Sequence, residues 1–269
     1  MDNRGADPGS AAGLWHREAV PPTVPARTVP ARTAASSTTP RSHALLSQAG
    51  AHHTGATRTT VPIRLHGRGA VTERLTAVLR EHGHRVETSV RRPVSSPTRR
   101  PGAAALPSWS SGLVILTDFL VHDSMIRAGL MRRRIPHLVA TVDGGVGIVG
   151  PLVLPGLSSC LGCADRHRAA LDPAWPATAA ALVGRSGCAS PATVAITAAL
   201  AFEQVQQIIE ALDGHSEDST GGTSADPPQL LDRALEFGTR PFHLRMRARP
   251  PHPLCGCLPS HVFAPDIGA

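Results

Sequence analysis

Two close pairs of cysteines, Cys160-Leu-Gly-Cys163 and Cys255-Gly-Cys257, constrain this chain more than any other feature. Thiolates two or three residues apart reach the same tetrahedral ion, so two such pairs from distant segments make up the donor set of a closed structural zinc site. A redox Cys-x-x-Cys, or cysteines that merely pack, are the other readings. A thioredoxin-like motif would supply one pair and leave the second unexplained. Four thiolates leave no coordination position for substrate or water, so a zinc ion here would hold the chain together rather than act on a substrate. A zinc deaminase is a poor fit: the His-x-Glu at His16-x-Glu18 lies in a segment that does not read as folded, and Ser159 rather than proline precedes Cys160.

The composition allows a sizeable core, at 41% hydrophobic residues, but that core must be aliphatic because aromatics make up only 3% and tyrosine is absent. All 27 basic residues are arginine. This bias toward Arg, Ala, Gly and Pro weakens the net charge of +7 as a sign of nucleic-acid binding, and five Phe and three Trp offer little to stack on bases. No uninterrupted apolar run reaches the length of a membrane span, and no apolar core of a secretory signal opens the chain. Cysteines in metal-like pairs suit a reducing cytoplasm.

Residues 1–60, rich in Pro, Ala, Thr, Ser and Arg and carrying the near-repeat Val24-Pro-Ala-Arg-Thr28 and Val29-Pro-Ala-Arg-Thr33, read as a disordered tail, with an organelle transit peptide as the other possibility. Order is expected from Val61. A short strand at 61–65 leads through His66-Gly67-Arg68-Gly69 into a helix over 72–81, with Leu75, Val78 and Leu79 at helical spacing, and a strand follows at 85–90. An Arg/Pro/Ser linker covers about 91–110. Next come a continuous apolar strand at 112–117, a helix over 123–134 and a strand at 137–142. This alternation predicts an α/β fold with a doubly wound parallel sheet. The helix over 191–212 reads as largely buried. The polar stretch 214–228 reads as a surface loop. Leu244, Met246 and Ala248 alternate with Arg245, Arg247 and Arg249, a strand whose arginines would form its wet face. A short tail closes the chain at 259–269.

The order of these parts resembles the ThiF/MoeB-type superfamily, to which the ubiquitin-activating enzymes are related. Gly67 and Gly69, Asp118, the passage Gly147-Ile-Val-Gly-Pro151-Leu-Val-Leu-Pro155-Gly156, Cys160 and Cys163, the long helix, and Cys255 and Cys257 carry the resemblance over 61–258. A narrower one lies in Cys160-Leu-Gly-Cys-Ala-Asp-Arg-His-Arg168, Asp172-Pro-Ala-Trp-Pro176 and Pro253-Leu-Cys-Gly-Cys257. That combination is similar to an actinobacterial ThiF-like branch associated with bacteriocin and azoline-peptide modification. It implies a Rossmann-like domain with a zinc-pinned C-terminal extension and a cyclodehydratase-type partner role. The partner would be a precursor leader peptide or a separate YcaO-type enzyme, and the protein itself a homodimer.

Active superfamily members attach AMP to a C-terminal carboxylate, which requires ATP, magnesium and amides at a helix N-terminus to hold phosphate. Gly67 and Gly69 could present those amides, although Thr72 stands where the fingerprint wants a third small residue. Glu87, 20 residues after Gly67, could bond a ribose hydroxyl or be a solvated strand-end glutamate. The resemblance makes Asp118 the magnesium-linked aspartate. Two departures weaken catalysis: the family's Asn after that aspartate is Phe119 here, and the lysine the active members use has no counterpart. The expectation is therefore a protein with a degenerate nucleotide site that binds a peptide or enzyme partner. The alternatives are an ATP-dependent adenylyltransferase and a metal-held structural subunit. Cys188, ahead of the long helix, is a candidate for thioester or persulfide chemistry or a small packing residue. The run Asp165-Arg166-His167-Arg168 could bind an acidic peptide or phosphate, or be solvated around the metal knuckle.

Overall fold

The computed structural model describes residues 61–91, 112–213 and 228–258. The tails at 1–60 and 259–269, nearly all of the Arg/Pro/Ser linker and the loop after the long helix lie outside the described residues. The elements in chain order are β1 (Ile63–His66), α1 (Ala70–Glu81), β2 (Val86–Thr88), β3 (Leu113–Thr117), α2 (Ser124–Arg132), β4 (His137–Asp143), β5 (Val146–Val153), α3 (Leu161–Leu171), α4 (Trp175–Leu182), α5 (Pro191–Asp213), β6 (Arg233–Thr239) and β7 (Phe242–Ala248).

One seven-stranded sheet, in the order β2-β1-β3-β4-β5-β6-β7, organises them. Strands β2, β1, β3 and β4 run parallel. Every residue of β3 and β4 is buried, as expected of continuous apolar strands covered on both faces. On one face Ile63, Leu65, Leu113, Ile115 and Leu138 pack under Leu75 and Leu79 of α1 and Val205 and Ile208 of α5. On the other, Val114, Leu116 and Val139 meet Ile126 and Leu130 of α2. Each such aliphatic side chain contributes roughly 1.5–3 kcal/mol by leaving water, so this central slab holds most of the fold's stability.

The expected parallel sheet is present in its centre but does not extend through all seven strands. Strands β5, β6 and β7 are antiparallel to their neighbours. The reversal occurs at Asp143-Gly144-Gly145-Val146, where Gly144 (φ 55°) and Gly145 (φ 84°) both take positive φ and Asp143 pairs with Val146. Positive φ at both central residues is the geometry of a two-residue hairpin, and glycine adopts it without Cβ strain.

One further expectation changes. Strand β7 departs from the expected wet arginine face: Arg245 is exposed, but so are Phe242, Leu244 and Met246, whereas Arg247 bonds Glu236 and Arg249, just past the strand, is buried. Alternation fixes which residues share a face but not which face meets water. Helix α5 is long and apolar enough to cross a membrane by length and composition alone. Here its Val194, Ala198, Ala201, Val205 and Ile208 line the core instead.

Candidate functional site

The two cysteine pairs converge. Cys160 caps the N-terminus of α3 and Cys163 sits in its first turn, with its amide donating to the Cys160 carbonyl at 3.0 Å. The second pair lies on a tight turn beyond β7, where the Cys255 amide donates to the His252 carbonyl at 2.9 Å and Gly256 takes φ 66°. Sulfur separations are 3.9 Å for Cys160 and Cys163, 3.5 Å for Cys160 and Cys255, and 3.3 Å for Cys163 and Cys257. All four ligand atoms lie within 4.8 Å of one another. Four sulfurs at about 2.3 Å from one tetrahedral ion are about 3.8 Å apart, so the cluster has the size and chemistry to hold a metal ion. Hydrogen bonding from Cys160 pulls the Cys163 thiol down to about 4, whereas burial pushes Cys257 up to about 12. Protons are thus shared unequally among sulfurs too crowded for all to ionise unaided. Gly162 borders the cluster: a Cβ there would stand 3.4 Å from the Cys160 sulfur and 3.5 Å from that of Cys255, which is ordinary van der Waals contact.

Asp232 ties this knuckle to the sheet. Its carboxylate accepts from the Ser159 amide at 2.6 Å, and its carbonyl accepts from the Arg249 amide at 2.6 Å. Beside it, the fully buried Glu236 accepts from Arg247 Nε at 2.5 Å and from the Arg249 guanidinium at 3.0 Å.

A second site lies at the C-terminal ends of β1 and β3. The chain leaves β1 toward one edge of the sheet and β3 toward the other, so the crevice between them is the switch point where open α/β sheets bind ligands. Gly67, Gly69 and Asp118 meet there. Asp118, at φ 60°, turns its carboxylate onto the N-terminus of α1. One oxygen accepts from the Val71 amide at 3.0 Å; the other accepts from the Thr72 amide at 3.0 Å and the Thr72 hydroxyl at 2.5 Å. The helix has no cap of its own, since its N-cap residue is Gly69. A Cβ on Gly69 would come within 2.7 Å of the Asp118 carboxylate, and one on Gly67 within 2.1 Å of the Thr117 hydroxyl oxygen. The two glycines thus admit the chain's own strand end. The amides that would hold a phosphate are occupied by a carboxylate that is 4% exposed.

Glu87 stands away from this convergence. It is exposed and pairs with Arg64 on the neighbouring strand at 3.2 Å. Cys188 is exposed and outside the four-sulfur cluster, and its carbonyl accepts from the Gly145 amide at 3.1 Å. Sequence reasoning did not single out the two buried groups nearby. His66 ends β1, and His122 lies in the loop after β3, with their rings 6.1 Å apart and Phe119 packed against both. Burial lowers His66 to about 4 and His122 to about 3, so both rings are neutral at pH 7.

No protein-family model matches the chain, and no curated protein matches it. Solved structures do share its fold. A heterocyclase determined in complex with substrate and cofactor superposes with a TM-score of 0.54 at 16% identity, covering 81% of this chain and 27% of that one. The heterocyclase TruD superposes with a TM-score of 0.51 at 18% identity, covering 81% of this chain and 29% of its own. This chain therefore spans less than a third of either protein. The likeness is one of fold, and it falls where the sequence resemblance pointed.

Proposed function

We propose that this chain is a zinc-stabilised, Rossmann-like member of the ThiF-type superfamily whose nucleotide site has degenerated. Its task would be to bind a precursor peptide or a YcaO-type enzyme in azoline or bacteriocin-type peptide modification. The observation that carries the reading is Asp118, seated on the α1 amides that a phosphate would need. A second anion at those amides would have to dislodge it, and the helix has no other cap. The missing lysine and the Phe119 replacement agree with this. Fold likeness to two heterocyclases supports the pathway, and four converging sulfurs support zinc held by Cys160, Cys163, Cys255 and Cys257. The cytoplasmic setting and a homodimer belong to the same proposal.

The test is ATP–pyrophosphate exchange in the presence of magnesium and a peptide with a free C-terminal carboxylate. The expected outcome is no exchange above background. Robust exchange that Asp118→Ala abolishes would instead establish an adenylyltransferase. Co-purification with a YcaO-type enzyme or a short precursor peptide encoded at the same locus tests the partner role.

A further inference from the structure

Strand β7 ends the sheet, and its outer side pairs with no strand among the described residues. Alternate N–H and C=O groups of such a strand point away from the sheet and are open to a further strand. Proteins commonly close a sheet edge by keeping it short or by placing proline or charge along it. Here the edge runs for seven residues with no proline inside it, and its charge lies on one face only.

The two faces differ in chemistry. Phe242, Leu244 and Met246 stand opposite Thr239, Phe237 and Leu235 of β6, on the side covered by α5: the Thr239 and Thr193 hydroxyls are 3.1 Å apart, and Leu235 packs on the core that α5 lines. The helix shields β6 but leaves the three β7 side chains 78%, 59% and 44% exposed. His243, Arg245 and Arg247 share the other face. Arg245 is exposed and has no ion pair among the described residues, as is true of Arg233 and Arg240 at the two ends of β6. The acids beside them are committed: Glu236 holds Arg247 and Arg249, and the Asp232 carboxylate accepts from the Ser159 amide. The edge therefore offers an apolar strip on one side and unpaired positive charge on the other.

A second copy of this chain fits that edge poorly. Two β7 strands related by a two-fold axis pair antiparallel with like faces together, which sets Arg245 beside the basic residues of its copy, and like charges across a strand pair repel. We propose that β7 instead accepts an extended peptide segment as an eighth strand, one in which apolar residues alternate with aspartate or glutamate. Its apolar side would continue the surface of Phe242, Leu244 and Met246, its carboxylates would meet Arg245, and main-chain bonds along the open edge would set its register. Strand addition rests on the proposed function only in taking a peptide as the partner, and it needs neither zinc nor a degenerate nucleotide site.

Fluorescence anisotropy of the full-length protein with a labelled seven-residue peptide alternating valine and glutamate, the length of β7, tests it. Saturable binding is expected, and it should be about tenfold weaker or more for a peptide of the same composition with its glutamates grouped, and for one with lysine in their place. Methylating alternate backbone nitrogens of the peptide gives two forms. One should lose binding and the other keep it, because only every second N–H faces β7. Arg245→Thr and Leu244→Thr alter exposed side chains and keep strand propensity, so both should fold, and each should weaken the glutamate peptide about tenfold. The proposal is overturned if the alternating peptide does not saturate the wild-type protein, if the grouped or lysine peptide binds as well, if both methylated forms bind alike, or if both variants bind like wild type. A dimer that Leu244→Thr dissociates would give the edge to a second copy and overturn it too. Co-purification of a YcaO-type enzyme or precursor peptide that both variants retain in full would keep the proposed function and overturn the edge assignment. Peptide binding at β7 in a protein that also catalyses ATP–pyrophosphate exchange would support the edge while the proposed function fails.

Discussion

At the scale of single residues, two carboxylates hold this molecule in ways their sequence context conceals. Asp118 is the only side-chain cap α1 receives among the described residues, through three hydrogen bonds from Val71 and Thr72. Asp118→Ala should cost about 2 kcal/mol in a urea titration, the upper range for a helix cap, because the bonds are buried and charge-assisted. Glu236 is buried between Arg247 and Arg249. Glu236→Gln leaves two guanidiniums without their counter-ion and should cost about 3–5 kcal/mol in the same measurement. Asp118 was visible in the sequence as an acid ending an apolar strand, although its partners were not. Glu236 had no such signal: one acid between Leu235 and Phe237 shows alternation, and only the register with β7 reveals the arginines beside it. His122 was hidden for the same reason, since its buried setting against His66 and Phe119 exists only in the fold.

At the scale of elements, legibility followed periodicity. Helices α1, α2 and α5 and strands β3 and β4 carry apolar residues at the spacing of their own geometry, and each was recognisable. Helix α3 carries Asp165, Arg166, His167 and Arg168 in place of an apolar stripe, so its helicity was masked by the polar knuckle it supports. The β4–β5 reversal had a signal in Gly144-Gly145, which reads naturally as a two-residue hairpin turn. The cysteine pairs were fully legible as pairs, and the four sulfurs lie close enough together to hold one metal ion. Purified, reduced protein should therefore contain about one zinc per chain, and Cys255→Ser should lose the metal and several kcal/mol of stability. Metal analysis alongside a denaturation curve checks both. A normal curve from metal-free protein would mean that packing, not coordination, holds the knuckle.

At the scale of the whole molecule, the buried histidines set the response to acid. His66, His122 and His137 are held at about 4, 3 and 4 by burial, against about 6.5 in the unfolded chain. Between those values the unfolded chain takes up protons that the folded one refuses, so stability falls as pH drops from about 6.5 toward 4. Each histidine contributes a slope approaching about 1.4 kcal/mol per pH unit. Stability measured by urea titration at pH 7.5, 6 and 5 should fall over both intervals, by about 0.8 kcal/mol per histidine over the first and about 1.2 kcal/mol over the second.

The Asp118 carboxylate is covalently part of the chain whose helix it caps. It therefore acts as an intramolecular competitor, present at an effective concentration that dissolved nucleotides do not match at ordinary levels. A phosphate arriving at α1 would thus meet amides whose availability is governed by how firmly the crevice already holds its resident.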